Sequence, residues 1–166
     1  MQYAQPTRSR HDGFTLVEVL IALVVLSIGL LGLASLQTNA LKFSHSGYQH
    51  SQATFLAYDI LDRMRANRTT AMNSSAYKIG LTASAPTAPN CVTGTCSPSQ
   101  MASFDLAQWK TLIETTLPGG QAEVDFTDAG TARIYIITVR WNEMGYNKNS
   151  GTLERGVDTI TIRSEI

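Results

Sequence analysis

The sequence has no proline between Thr7 and Ala85. Nothing in that stretch removes a backbone donor or clashes with a preceding helical turn, so one very long helix is permitted there. Charge is scarce too: none falls between Glu18 and Lys42. Over the whole chain, 13 Lys and Arg balance 13 Asp and Glu. That balance offers no electrostatic case for a nucleic-acid partner. No nucleophile elbow, phosphate loop or zinc signature occurs, so neither catalysis nor a cofactor is expected. His45 and His50 lie five residues apart on the expected helix, a spacing that does not place them on one face. They read as plain surface residues, and no metal site is expected.

What is present is uneven. The 166 residues suit one domain of ordinary size plus an appendage. Phe14 to Leu36 is almost entirely apolar, whereas Thr69 to Ser103 is small and polar. As a helix, the apolar run would be about 34 Å long, enough to cross a hydrocarbon layer of roughly 30 Å. Arg8, Arg10 and His11 precede it, and the next basic residue is Lys42. A retained membrane helix with its basic leader in the cytoplasm and its body outside is therefore expected. Two other readings stand beside it. A cleavable secretory signal would use Gly32-Leu33-Ala34, although the run exceeds the usual signal core. A core helix of a soluble domain is the third.

Beyond the run, Ala53, Leu56, Ala57, Ile60, Leu61 and Met64 recur at helical spacing. Gln52, Thr54, Asp59, Asp62, Arg63 and Arg65 fill the other positions. One helix from about Phe14 to Asn67 is predicted, apolar all round in its first half and on one side in its second. Gly29, Gly32 and Gly47 weaken it by about 1 kcal/mol each relative to Ala. Thr69 to Asn90 reads as a mostly irregular surface connection. Ser97, Pro98 and Gln100 then form a helix start with a capping box. Ala102, Leu106, Trp109 and Ile113 give that second helix an apolar stripe, and Leu117-Pro118-Gly119-Gly120 ends it. Three antiparallel strands follow. The first covers Gln121 to Thr127, before turn material at Asp128-Ala129-Gly130. The second places Tyr135, Ile137, Val139 and Trp141 on one face. The third places Ile160 and Ile162 together, after a polar loop from Glu143 to Gly151. The expected class is α+β, with the amphipathic half of the long helix buried against the sheet.

Cys91 and Cys96 have four residues between them, including Gly94. If the body lies outside the cytoplasm, a disulfide is expected, worth on the order of 2–3 kcal/mol for a small loop in the chain-entropy model. A metal site would need further ligands, and a redox pair usually has two intervening residues. Trp109 and Trp141 read as core anchors rather than a carbohydrate platform.

Glu18 is the odd residue of the apolar run. A carboxylate in a span costs about 2.5–3.5 kcal/mol at the bilayer centre and less near the interface. It calls for a cationic partner, or else it sits at the membrane edge and snorkels. Gly13-Phe14-Thr15-Leu16-Val17-Glu18, at the head of the run, resembles the cleavage site of type IV pilins and their pseudopilin relatives. The resemblance implies that prepilin peptidase cuts after Gly13 on the cytoplasmic side. Phe14 becomes the new amino terminus, N-methylated. Glu18 becomes the acid that draws an incoming subunit into register through a neighbour's terminal amine. Gly29 and Gly32 then either allow close helix approach, loosen the helix on transfer to a filament, or are neutral small residues. Asp12 departs from the pattern, since a basic residue is more usual there.

Leu61 to Arg68 resembles the end of the long helix in PilV-type minor pilins. So do the cysteine pair, "FDLAQW" (Phe104 to Trp109), "LPGG" and "ITVRWNE" (Ile137 to Glu143). Major pilins often carry their disulfide near the carboxyl terminus, whereas this pair precedes the second helix. The implied fold is type IV pilin-like. Residues 1–13 form a cleaved cytoplasmic leader, and 14–36 the transmembrane or filament-core half of the long helix. Residues 37–68 form its amphipathic half and 69–166 the globular body. The implied role is a low-copy pilus subunit that joins other minor pilins in a priming and tip complex. Implied partners are prepilin peptidase, other minor pilins, the major pilin, an adhesin-like tip protein, and inner-membrane lipid before assembly. The alternatives are a minor pseudopilin of a type II secretion system and a single-span periplasmic protein unrelated to pili. Arg63, Arg65 and Arg68 read either as a solvated helix end or as a docking feature.

Overall fold

The computed structural model describes residues 13–130, 132–147 and 152–166. Arg8, Arg10 and His11 of the expected leader lie outside the described residues. The proline-free stretch forms α1, Leu16–Ala66, 51 residues long. The chain divides into two compact units between Phe43 and Ser44, and α1 contributes to both.

In the first unit every described residue is exposed. The large apolar side chains from Phe14 to Phe43 have no intramolecular cover. Among the described residues, α1 is the one helix long and apolar enough to cross a membrane.

The second unit has a core. From α1 it takes Ala53, Leu56, Ala57, Ile60, Leu61 and Met64, the predicted stripe, together with the buried polar Gln49. The helix stops at Ala66, and a short helix α2, Arg68–Asn73, follows. The first part of the connection expected to be irregular is therefore helical. Its last carbonyls explain why. The Tyr135 hydroxyl and the Arg133 guanidinium both donate to the Ala71 carbonyl, and Arg133 donates again to the Ser74 carbonyl. Partners some sixty residues away in sequence thus satisfy a helix end that local composition does not announce. Farther along, Ile79 pairs with Val124 by a single antiparallel bridge.

Cys91 and Cys96 are joined in a disulfide, with Cα atoms 5.5 Å apart. The bridge ends one residue before the cap of α3, Pro98–Thr116. The predicted capping box is present: Gln100 N–H donates to Ser97 Oγ, and Ser97 N–H donates to Gln100 Oε1. Helix α3 buries Ala102, Leu106, Trp109 and Ile113. It ends at Leu117, whose N–H donates to the Ile113 carbonyl. Gly119 has φ +61°, and a Cβ on Gly120 would collide with the Ile113 carbonyl, so both glycines are required by the turn.

The sheet is a meander of β1 (Gln121–Ala129), β2 (Ala132–Asn147) and β3 (Thr152–Glu165), antiparallel in the order β1-β2-β3. Its buried face carries Ala122, Val124, Tyr135, Ile137, Val139 and Trp141, with Ile160 and Ile162 packed partly buried beside them. Trp109 and Trp141 are fully buried, as core anchors. Two boundaries differ from expectation. β1 continues through Ala129, leaving Gly130, at φ +68°, to begin the turn. The polar loop expected from Glu143 to Gly151 is in large part strand: Glu143 pairs with Gly156, and pairing continues to Asn147 with Thr152. Residues 148–151 of that loop lie outside the described residues. Polar composition argues against burial, not against ladder pairing, and a two-stranded ribbon satisfies its backbone without a core.

Candidate functional site

The residues of the head motif share one turn. Gly13 has open space around it, and Phe14 is 84% exposed. Thr15 begins α1: the Glu18 N–H donates to Thr15 Oγ1 at 3.3 Å and to its carbonyl at 3.1 Å. Thr15 is thus a helix cap, and Glu18 sits in the first turn, where free N–H groups carry partial positive charge. Thr-x-x-Glu is a capping-box pattern, a local signal that sequence reasoning passed over. The carboxylate therefore has two physical reasons to sit here: its own helix dipole, and any cation brought by a neighbour. Lys42 is the next charged side chain along α1.

The disulfide and the segments Leu61 to Arg68, Phe104 to Trp109 and Ile137 to Glu143 belong to the second unit. There the arginines at the end of α1 separate in role. Arg63 lies in a polar network joining α1 to α3. Its Nε donates to Asp59 at 2.9 Å, and one terminal nitrogen donates to Gln108 Oε1 at 2.9 Å. The same nitrogen lies 3.5 Å from Asp105. The Tyr77 hydroxyl donates to buried Asp105 at 2.7 Å. Asn67 Nδ2 donates to the Tyr77 oxygen and to the Pro98 carbonyl, at the first turn of α3. Arg65 donates to Asp62 and to Ser164 on β3. Arg63 is therefore a half-buried fastener between α1 and α3, whereas Arg65 and Arg68 are exposed at the helix end, Arg65 reaching across to β3.

Lys110 is buried, and its ammonium donates to the Leu81 and Ala122 carbonyls, tying the polar connection to β1. Burial holds its pKa below the ordinary lysine value, against the pull of Glu114 and Glu123. Burial and then the Asp105 bond push the Tyr77 hydroxyl well up, and burial raises Tyr135 despite its bond to Arg133. The contribution of the two tyrosines is complete below pH ~10 and is lost above it, because the unfolded chain sheds protons that the folded chain keeps, at about 1.4 kcal/mol per pH unit per tyrosine. Lys110 works the other way, but only up to its unfolded pKa near 10.5. Urea midpoints measured from neutral to strongly alkaline pH should fall steeply above pH ~10.5, and Tyr77→Phe should roughly halve that slope.

His50 was expected to be a plain surface residue, and it is not. Its Nε2 lies 2.8 Å from Asp158 Oδ2 and 3.8 Å from Glu143 Oε2. Its ring meets Trp141 edge-on, with centroids 5.0 Å apart. His45 makes only a side-chain contact within its own helix, to Gln49 at 3.2 Å. No spacing rule could have found the His50 cluster, because its members lie on α1, β2 and β3.

Two family models match adjacent stretches of the chain. A prokaryotic N-terminal methylation motif covers residues 8–34, which include Gly13, Phe14 and Glu18. The model described as type IV pilin Tt1218 covers residues 35–107, from the middle of α1 through the disulfide into α3. Comparison with curated proteins and with solved structures found no match. The methylation motif implies processing by prepilin peptidase and assembly with other pilins, and the pilin family is structural. With the apolar leading helix, the second helix and the three-stranded antiparallel sheet all in place, the two matches support a type IV pilin with the type IV pilin-like α+β fold.

Proposed function

We propose that this chain is a PilV-type minor pilin, one of the low-copy subunits that prime type IV pilus assembly and sit at the fibre tip. The observation that carries the reading is the head turn: a glycine, an exposed aromatic residue, a cap and one acid at the start of an uncovered apolar helix. Prepilin peptidase cuts after Gly13, Phe14 is N-methylated, and the apolar helix is retained as an anchor. Residues 1–13 are the leader, 14–36 the span, 37–68 the amphipathic half and 69–166 the body. The amino terminus faces the cytoplasm and the body the periplasm until the subunit enters a fibre. Glu18 pairs with the amine of a neighbouring subunit and sets its register. The minor subtype is supported by the disulfide placed ahead of α3 and by the Leu61-to-Arg68 segment. Partners are other minor pilins, the major pilin and an adhesin-like tip protein.

Mass spectrometry of the protein recovered from its own membranes tests the first step. The mature chain should begin at Phe14 and be heavier by one methyl group, and Gly13→Glu should leave the leader attached. A chain that begins at Met1, or after Ala34, would overturn the proposal. A minor pseudopilin of a type II secretion system would share the head turn. Deletion separates the two: loss of surface fibres supports the pilus role, whereas failed exoprotein secretion with intact fibres supports the other.

A further inference from the structure

His50 on α1, Glu143 on β2 and Asp158 on β3 bring one imidazole nitrogen and two carboxylate oxygens within 4.8 Å of one another. Trp141 pairs with Asp158 across the ladder, and Glu143 follows two residues later on the same strand. Side chains alternate across a sheet, so both carboxylates leave it on the face that carries Trp141, towards α1. The Trp141 ring, itself fully buried, meets the His50 imidazole edge-on, with an interplanar angle of 88°. Three elements thus converge on one point at the rim of the core. We propose that His50, Glu143 and Asp158 bind a single divalent transition-metal ion of the zinc class and so fasten α1 to β2 and β3.

The geometry and the donor set both favour this. Around a tetrahedral zinc with bonds of about 2.0–2.1 Å, ligand atoms lie about 3.3–3.4 Å apart. The separations of 2.8 Å and 3.8 Å from His50 Nε2 bracket that value, so small side-chain rotations suffice. An imidazole suits zinc and its neighbours in the first transition row, whereas calcium takes six to eight oxygens and magnesium keeps most of its water. Two carboxylates balance the charge of a divalent ion. The fourth position is open to water, because the side chains of His50 and Asp158 are 44% and 37% exposed, while that of Glu143 is 14% exposed.

The test uses full-length protein in detergent, stripped with a chelator and titrated with zinc chloride at neutral pH by calorimetry. One-to-one binding is expected, together with a rise in thermal midpoint on loading. Loss even of an outer-shell partner weakens metal sites by about 10–100-fold, so His50→Ala, Glu143→Gln and Asp158→Asn should each weaken binding at least about tenfold. Cobalt(II) should give a visible d–d spectrum that the same variants lose. His50→Gln, at a half-exposed position, supplies the comparison if His50→Ala disturbs the body. Absence of saturable one-to-one binding, equal binding in all the variants, or tighter binding of calcium than of zinc would each overturn the assignment.

Discussion

Replacing Glu18 by Ala is expected to leave membrane insertion and cleavage after Gly13 intact, and to cut incorporation into fibres by a hundredfold or more. Insertion should survive because the substitution makes the apolar run more apolar. Cleavage should survive because the cut lies five residues upstream. Incorporation depends on the charge. Among packed apolar helices, where water is excluded, an amine without its carboxylate partner is an uncompensated ion. Removing one member of a buried pair costs about 3–5 kcal/mol, and each ~1.4 kcal/mol is a factor of ten. Thr15 complicates the interpretation, because Glu18 occupies the third position of its capping arrangement. Glu18→Gln separates the two roles, since glutamine also serves in a capping box but carries no charge. If the pairing reading holds, Gln fails as Ala does. If Gln assembles normally, the residue acts through its own helix, and the register role is lost. Quantitative immunoblots of sheared fibres against whole-cell levels provide the measurement.

Trp109→Ala should be the most damaging single change in the body. Trp109 on α3 is fully buried in the core, and its indole N–H donates to the Leu56 carbonyl of α1 at 2.7 Å. Truncating a buried tryptophan to alanine costs about 3–5 kcal/mol, a large share of the 5–15 kcal/mol that keeps a typical domain folded. For a unit of this size the thermal midpoint should fall by more than about 10 °C. Trp109→Phe keeps most of the apolar surface and forfeits one hydrogen bond, which costs about 1 kcal/mol. Denaturant melts of the full-length variants in detergent, followed by circular dichroism and by the fluorescence of Trp141, would rank them. Equal stability of the Ala and Phe variants would show that the ring does not carry the packing of α1 on α3.

What the sequence made legible was local. The head motif spans six consecutive residues, and the stripe of α1 repeats within a few turns. The start of α3 is a serine and a glutamine three residues apart, and its end is a proline and two glycines in a row. Each signal is complete within a few turns of chain, so tertiary context only confirms it. The readings that failed depend on distant partners. Arg63 finds Gln108 across 45 residues, and Arg65 finds Ser164 across 99. α2 is held by side chains of β2, and the β2–β3 ribbon by a register that polar composition does not encode. His50 acquires its meaning only when the sheet folds against the helix face that bears it.

Among the described residues, the hydrophobic core of the second unit takes no apolar side chain upstream of Ala53. On the proposed function, moving such a subunit from lipid into a fibre exchanges one greasy medium for another around a single segment, while its cargo travels pre-assembled. Extraction then involves no refolding barrier in the body. The rate of uptake should answer to bilayer thickness and lipid fluidity rather than to the thermal stability of the part that is carried.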